Sequence, residues 1–315
     1  MNYTTLGKTK IKVSRLCFGT LTLGPLQAGL TVEAGSAVLA RAIEHGVNFC
    51  DTAQLYETYP YIKRAIELTR KHDLVISSKT YAYSRKQAIQ AVEEARQAIG
   101  RDYIDIFLLH EQESALTLDG HKQALEYLYE CKQKGIVKAV GASMHHVAAV
   151  KAAGQKGLDV IHPLMNMTGL GVADGSIAEM EYAVKSAYGL GCGAYAMKAL
   201  GGGNLFKQAG ACLEYILGLD FIDSIAVGMQ SAGEVDANAG FFETGAFCVE
   251  SERILAGKAR RLHIESWCGG CGECAVRCGQ KALNVKGQKA SCIHERCILC
   301  GYCSTACKSF AIKVV

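Results

Sequence analysis

Two kinds of chemistry can be read from short stretches of the chain. The ends of three successive apolar runs read FCDTAQLY (49–56), SSKT (77–80) and FLLH (107–110). They bring Asp51, Tyr56, Lys79 and His110 toward one place. A phenol with an ordinary pKa near ~10 is a poor acid at neutral pH, and a nearby ammonium lowers that pKa by stabilising the phenolate. Lys79 is therefore expected to tune Tyr56. Asp51 would hold Lys79 charged and oriented, and His110 would donate a hydrogen bond to a substrate oxygen that gains negative charge. The set suits protonation of a carbonyl oxygen during its reduction. Each residue alone has a plainer reading: a structural ion pair, half-buried packing, a satisfied core histidine. Their joint placement at neighbouring run ends carries the chemical one.

The second kind is cysteine chemistry. Cys268, Cys271, Cys274 and Cys278 have the spacing C-x2-C-x2-C-x3-C, and Cys297, Cys300, Cys303 and Cys307 repeat it. Nine of the fifteen cysteines fall between 268 and 307, which separates that segment from the rest. In a short secreted chain such a density means disulfides. In a long chain with tight Cys-x-x-Cys spacing and no apolar leader in MNYTTLGKTK it means metal or cluster ligation in a reducing compartment. The cytoplasm is the expected location, and no run approaches the ~20 apolar residues of a membrane span. Charge divides at the same place. Residues 258–315 carry a net +7, leaving −3 on the first 257. The basic charges alternate with cysteines rather than with stacking aromatics, so no nucleic-acid partner is expected. Cys292, Cys17, Cys50, Cys131, Cys192, Cys212 and Cys248 read as plain thiols.

The elements that must position these groups follow from periodicity. Eight short apolar runs, at 15–19, 47–50, 74–79, 104–110, 137–143, 159–163, 192–197 and 224–228, alternate with amphipathic stretches such as RKQAIQAVEEARQAIG. Eight buried strands, each followed by a helix, predict an α/β fold, a closed (β/α)8 TIM barrel over 1–257 with its chemistry at the C-terminal strand ends. An open doubly wound sheet is the other reading. TTLGKTKIKVS predicts a hairpin plugging the barrel bottom. The second domain is 258–315.

With these motifs in hand, residues 3–240 resemble the aldo-keto reductase family: YTTLGKTKIKVSRLCFGT, DTAQLY, SSKT, LLH and AMKALGGG match its pattern. The resemblance implies a catalytic tetrad at Asp51, Tyr56, Lys79 and His110, with Glu57 departing from the usual Gly. It also implies a nicotinamide dinucleotide across the barrel top, at Ser143, Asn166, Met197, Lys198, Gly228, Gln230, Glu234 and Asn238. Several side chains depart from that site. Met144 replaces an Asn, His162 a Gln and Met197 an aromatic, and residues 228–238 contain no Lys or Arg for a 2′-phosphate. Glu234 would repel a phosphate and accept from a ribose hydroxyl, which favours NADH over NADPH.

Residues 262–315 resemble bacterial two-cluster ferredoxins, an α+β fold. By that family's crossed ligation, one [4Fe-4S] cluster takes Cys268, Cys271, Cys274 and Cys307, and the other takes Cys297, Cys300, Cys303 and Cys278. The Pro that usually follows the fourth cysteine is Gly279 in one half and Lys308 in the other. Zinc is the alternative occupant of these cysteines. Two clusters at about −2 each would be offset by the basic side chains. A nicotinamide delivers a hydride whereas each cluster delivers one electron, and the chain has no G-x-G-x-x-G flavin fingerprint as an adapter. Three readings follow. The clusters reduce a small carbonyl substrate with Tyr56 as proton donor; NAD(P)H reduces it while the clusters relay electrons or hold the tail; or the barrel is retired and the protein carries electrons. Any of them admits an external ferredoxin or flavoprotein as electron partner.

Overall fold

The computed structural model describes residues 1–315. All eight apolar runs form parallel strands: β3 (Leu16–Gly19), β4 (Phe49–Asp51), β5 (Val75–Thr80), β6 (Ile104–Gln112), β7 (Val137–Met144), β8 (Val160–Pro163), β9 (Gly193–Ala196) and β10 (Ser224–Gly228). β1 (Tyr3–Thr5) and β2 (Lys12–Ser14) precede them. β10 pairs back onto β3, Ile225 opposite Leu16 and Gly228 opposite Gly19, so the sheet closes into a barrel and the open-sheet reading falls. The strands are buried on both faces, which is why they read as continuous apolar runs rather than alternating ones. Helices wrap the outside, several started by capping boxes such as Ser84 with Gln87 and Ser176 with Glu179. β1 and β2 form the expected hairpin, and its Leu6, Ile11 and Val13 fill the barrel interior against Phe49, Ile106 and Tyr195.

After the barrel, Val249–Gly257 forms a helix packed on helix Ala232–Thr244. Four short strands follow. β11 (Leu262–Ile264) pairs antiparallel with β14 (Ile312–Val314), and β12 (Leu283–Lys286) with β13 (Lys289–Cys292). They enclose a small core of their own, Leu262, Leu283, Ala290, Ile312 and Val314, with the cysteines around it. No helix is long and apolar enough to cross a membrane.

This C-terminal part sits on the loops that follow β8 and β9. The Val314 amide donates to Gly202 O at 3.0 Å, the Asn204 side chain donates to Ile312 O at 3.0 Å, and the Ser304 hydroxyl donates to Asn204 Oδ1. The approach is too close for side chains. At Gly203, φ +83°, an added Cβ would lie 1.9 Å from Val314 O, and at Gly171, φ +94°, 3.0 Å from the Phe310 ring.

Candidate active site

β4, β5 and β6 end at one mouth, and the four residues expected there meet. Asp51 is the last residue of β4, and the Gln54–Tyr56 turn that follows carries Tyr56. Lys79 lies one residue from the end of β5. In β6 the register with β7 slips between Leu109 and Gln112, so His110 and Glu111 occupy a bulge at the rim. Lys79 Nζ donates to Asp51 Oδ2 at 2.7 Å and to Thr52 O at 2.8 Å, and both side chains are nearly inaccessible. The other Asp51 oxygen accepts from the Tyr195 hydroxyl at 2.8 Å, and that hydroxyl in turn accepts from the Ser77 hydroxyl at 2.8 Å. Asp51 is thus fixed from two sides. Tyr195 was not among the expected site residues. The signal for it is a single phenol in GAYA, a strand otherwise built of small residues.

The structure corrects one electrostatic expectation. The Tyr56 phenol is pushed up rather than down. The Lys79 ammonium lies 4.9 Å from the ring centroid but is committed to Asp51. Burial, with Asp51 and Glu111 adding to it, holds the Tyr56 pKa well above its ordinary value. The phenol therefore stays protonated, as a donor needs, and it gives up its proton only to a much stronger base such as an alkoxide. His110 is held neutral: burial, then Lys79, His162 and Lys198, push its pKa well below the ordinary value. It stacks on Tyr81 with centroids 4.4 Å apart and meets the Tyr56 ring edge-on at 5.7 Å. Its buried Nδ1 has no protein partner.

The residues expected at a dinucleotide are mostly engaged within the protein. Ser143 Oγ accepts the Glu111 amide at 2.9 Å. Asn166 is used up in its own loop, accepting from Thr168 and Leu170 and donating to Leu170 O. The main chain of Met197 bonds Pro163 and Met165. His162 bonds Tyr195 O through Nδ1 and stacks on the Tyr195 ring at 3.8 Å. A Cβ on Gly228 would strike Thr22, and the Asn238 side chain bonds Glu234 O. Glu234 is already engaged within the protein. One of its oxygens takes Lys258 Nζ at 2.6 Å and the other takes the Gln230 amide at 2.7 Å. Lys258 also reaches Gln230 Oε1 at 2.8 Å. Lys198 adopts φ 60° and donates to His145 Nε2 at 2.8 Å, and its ammonium lies 4.9 Å from the centroid of the Phe310 ring. Phe310 and Glu111, at φ 49° and 50°, share its left-handed conformation, which non-glycine residues adopt uncommonly.

The cysteines fall into two groups. Cys278, Cys297, Cys300 and Cys303 line one hollow of about 350 Å³, counting the space open to solvent, with Leu262 and Leu283 behind them. Burial pushes the Cys303 thiol up to about 11, and Cys300 and Cys297 add to it. In the other group Cys274 is raised by burial and then by Cys307, Cys268 and Cys271. Backbone amides donate to Cys278, Cys268 and Cys307 sulfurs at 3.3–3.5 Å, from Ala282, Ala290 and Ala311. Cys292, read as a plain thiol, stands beside the first group, its pKa pushed up to about 12 by burial and by Cys297. No three His, Cys, Asp or Glu side chains are gathered as ligands of a single ion.

The sequence profile of the Aldo/keto reductase family matches residues 15–211, and the chain belongs to that family, a family of oxidoreductases. It is 28% identical over 149 residues to a probable voltage-gated potassium channel subunit beta of Arabidopsis thaliana, covering 41% of this chain and 43% of that protein. It is 27% identical over 158 residues to the aldo-keto reductase YhdN of Bacillus subtilis, covering 45% and 47%. The chain thus spans less than half the length of these curated relatives. Among solved structures, a putative aldo-keto reductase of Pseudomonas aeruginosa superposes with a TM-score of 0.64 at 21% identity, over 77% of this chain and 95% of that one. The holo form of an aldo-keto reductase of Bacillus halodurans gives 0.66 at 19%, over 81% and 95%. These likenesses establish the barrel fold.

Proposed function

We propose that the protein reduces a carbonyl group of a small organic substrate at the Tyr56 mouth, with electrons drawn from two [4Fe-4S] clusters rather than from a nicotinamide. The observation that carries this reading is where the C-terminal part sits. Lys258 holds both Gln230 and Glu234, and Phe310 and Val314 lie against Lys198, Gly171 and Gly202. Of these, Lys198, Gln230 and Glu234 are positions where the family resemblance puts the dinucleotide. A chain segment that holds them competes with that cofactor.

The cysteine groups fit cluster ligation. Each gathers three cysteines of one motif and the fourth of the other, the crossed set expected of a two-cluster ferredoxin domain over 258–315. Four thiols ringing an open hollow, with peptide amides directed at sulfur, suit a multi-iron group held by thiolates. Such clusters supply electrons singly. At the mouth, Tyr56 holds a proton for the carbonyl oxygen, neutral His110 turns an N–H toward that oxygen, and Lys79 with Asp51 fixes the electrostatics around them. Exposed Cys300, with Ile298 and Tyr302 beside it, offers the side from which an external ferredoxin or flavoprotein would supply electrons.

Replacing Cys300 with Ala, with methylglyoxal as the first carbonyl probe, tests the proposal. Relatives named methylglyoxal reductase in Yersinia pestis and Salmonella typhimurium motivate that choice. The proposal requires turnover to fall with the cluster. Tight NADH binding, with full-rate NADH-dependent reduction by Cys300→Ala, would contradict it and leave the nicotinamide-dependent reading standing.

A further inference from the structure

A hydride brings the carbonyl carbon its hydrogen; single electrons do not. Reduction of a carbonyl by two electrons therefore consumes two protons. The C=O π bond breaks, an O–H and a C–H bond form, and the carbon is reduced while a one-electron iron–sulfur donor is oxidised twice. Tyr56 accounts for the proton on oxygen. The proton on carbon requires a second acid at the mouth.

The groups around the mouth leave one candidate. Lys79 is bound to Asp51 and Thr52 O. His162 is pinned under Tyr195, and burial lowers its pKa to about 4, so it carries no extra proton at neutral pH. His110 is likewise neutral. The Glu111 carboxylate accepts the Tyr81 hydroxyl at the rim. Lys198, just beyond β9, remains. It has no carboxylate within ion-pair distance, and its donor bond goes to the lone pair of a neutral histidine, His145. Its partner His145 stands 3.9 Å from Glu111, and Glu111 holds the Tyr81 hydroxyl, whose ring stacks on His110 at 4.4 Å, so Lys198 belongs to the network that rims the mouth.

We infer that Lys198 is the second acid of this site and protonates the carbonyl carbon while Tyr56 protonates the oxygen. The inference rests on electrons arriving singly, as proposed above. The groups facing Lys198 are His145 just beyond β7, Glu111 from β6, Lys79 from β5, and Glu265 and Lys313 from the C-terminal part. Burial, with Lys79 adding to it and Glu111 and Glu265 opposing, brings its pKa from 10.5 to about 8. A group with that value is charged at pH 7 and still gives up a proton readily. His145 Nδ1 lies 3.9 Å from Glu111 Oε1, and the Glu111 side chain is 44% exposed, which links Lys198 to water for its resupply. The strained φ of 60° at Lys198 is the backbone conformation that holds the side chain in this place.

Two measurements on the cluster-loaded protein test the inference. The first involves no turnover. With 13Cε-labelled lysine, one resonance should titrate near pH 8 and vanish in Lys198→Arg; a Lys198 signal titrating at the ordinary lysine value overturns the inference. The second follows acetophenone reduction in D2O with dithionite as electron source. Wild type should place deuterium on the carbinol carbon in one configuration. Lys198→Met should lose about 10²-fold in rate and give mixed configuration. Solvent deuterium delivered in one configuration at an unchanged rate by Lys198→Met overturns the role of Lys198 alone. Deuterium arriving instead from [4-2H]NADH overturns the electron source, and the need for a second acid with it.

Discussion

Replacing Asp51 with Asn tests the electrostatic frame of the site. The Asp51–Lys79 contact is 2.7 Å long, with side-chain exposures of 7% and 1%, and Lys79 has only Thr52 O as its other partner. Removing one charge leaves the other buried without compensation, which costs about 3–5 kcal/mol. Asn keeps the shape and can still accept from Tyr195, so the loss reports the charge rather than a cavity. Removing both charges, in Asp51→Asn/Lys79→Met, abolishes the uncompensated ion, and the double variant should regain most of the stability. The two sites are therefore strongly coupled, and the double-mutant cycle should show it. Anaerobic urea titration followed by far-UV circular dichroism gives the four free energies. A single variant within about 1 kcal/mol of wild type, or a double variant that loses the sum of both singles, would refute the reasoning.

Three further outcomes are expected. Tyr56→Phe should keep the fold yet lose about 10²–10⁴-fold in carbonyl turnover; unchanged turnover would favour an electron carrier on an idle barrel. Gly203→Ala should push Val314 away, since its Cβ would sit 1.9 Å from that carbonyl. Hydrogen exchange of 310–315 should then quicken and coupling between clusters and substrate should fall, while the barrel amides stay protected. Asp223 is buried with its pKa raised to about 6 despite bonds from the Gly7 and Ala194 amides. A carboxyl raised in the fold favours the protonated native form, so this component of stability is present at low pH and is lost as pH rises from about 4 to about 6. Asp223→Asn should flatten that window in urea titrations taken across pH.

The barrel was legible because strands buried on both faces leave continuous apolar runs; β5 ends at Thr80 with SSKT, while β6 runs two residues past FLLH, to Gln112, through its bulge. The meeting of Asp51, Tyr56, Lys79 and His110 was legible for a related reason: neighbouring barrel strands end at one mouth. The sign of the Tyr56 shift was not, because burial depends on everything packed around the phenol and outweighs a lysine already bound to Asp51. Nor was the place of the C-terminal part. Its seat depends on single close approaches at Gly171, Gly202 and Gly203, which a run of glycines permits without specifying. Lys198 and Glu234 were singled out as cofactor residues from resemblance. Their partners, His145 for the one and Lys258 for the other, lie far off in sequence, and nothing in local spacing points to them.

Electron spin resonance of a single anaerobic turnover bears most directly on the central claim. Protein with reduced clusters and no nicotinamide, mixed with methylglyoxal, should lose its reduced-cluster signal as alcohol forms, at two electrons per product molecule. A signal that persists unchanged, while added NADH alone supports product formation, would contradict it.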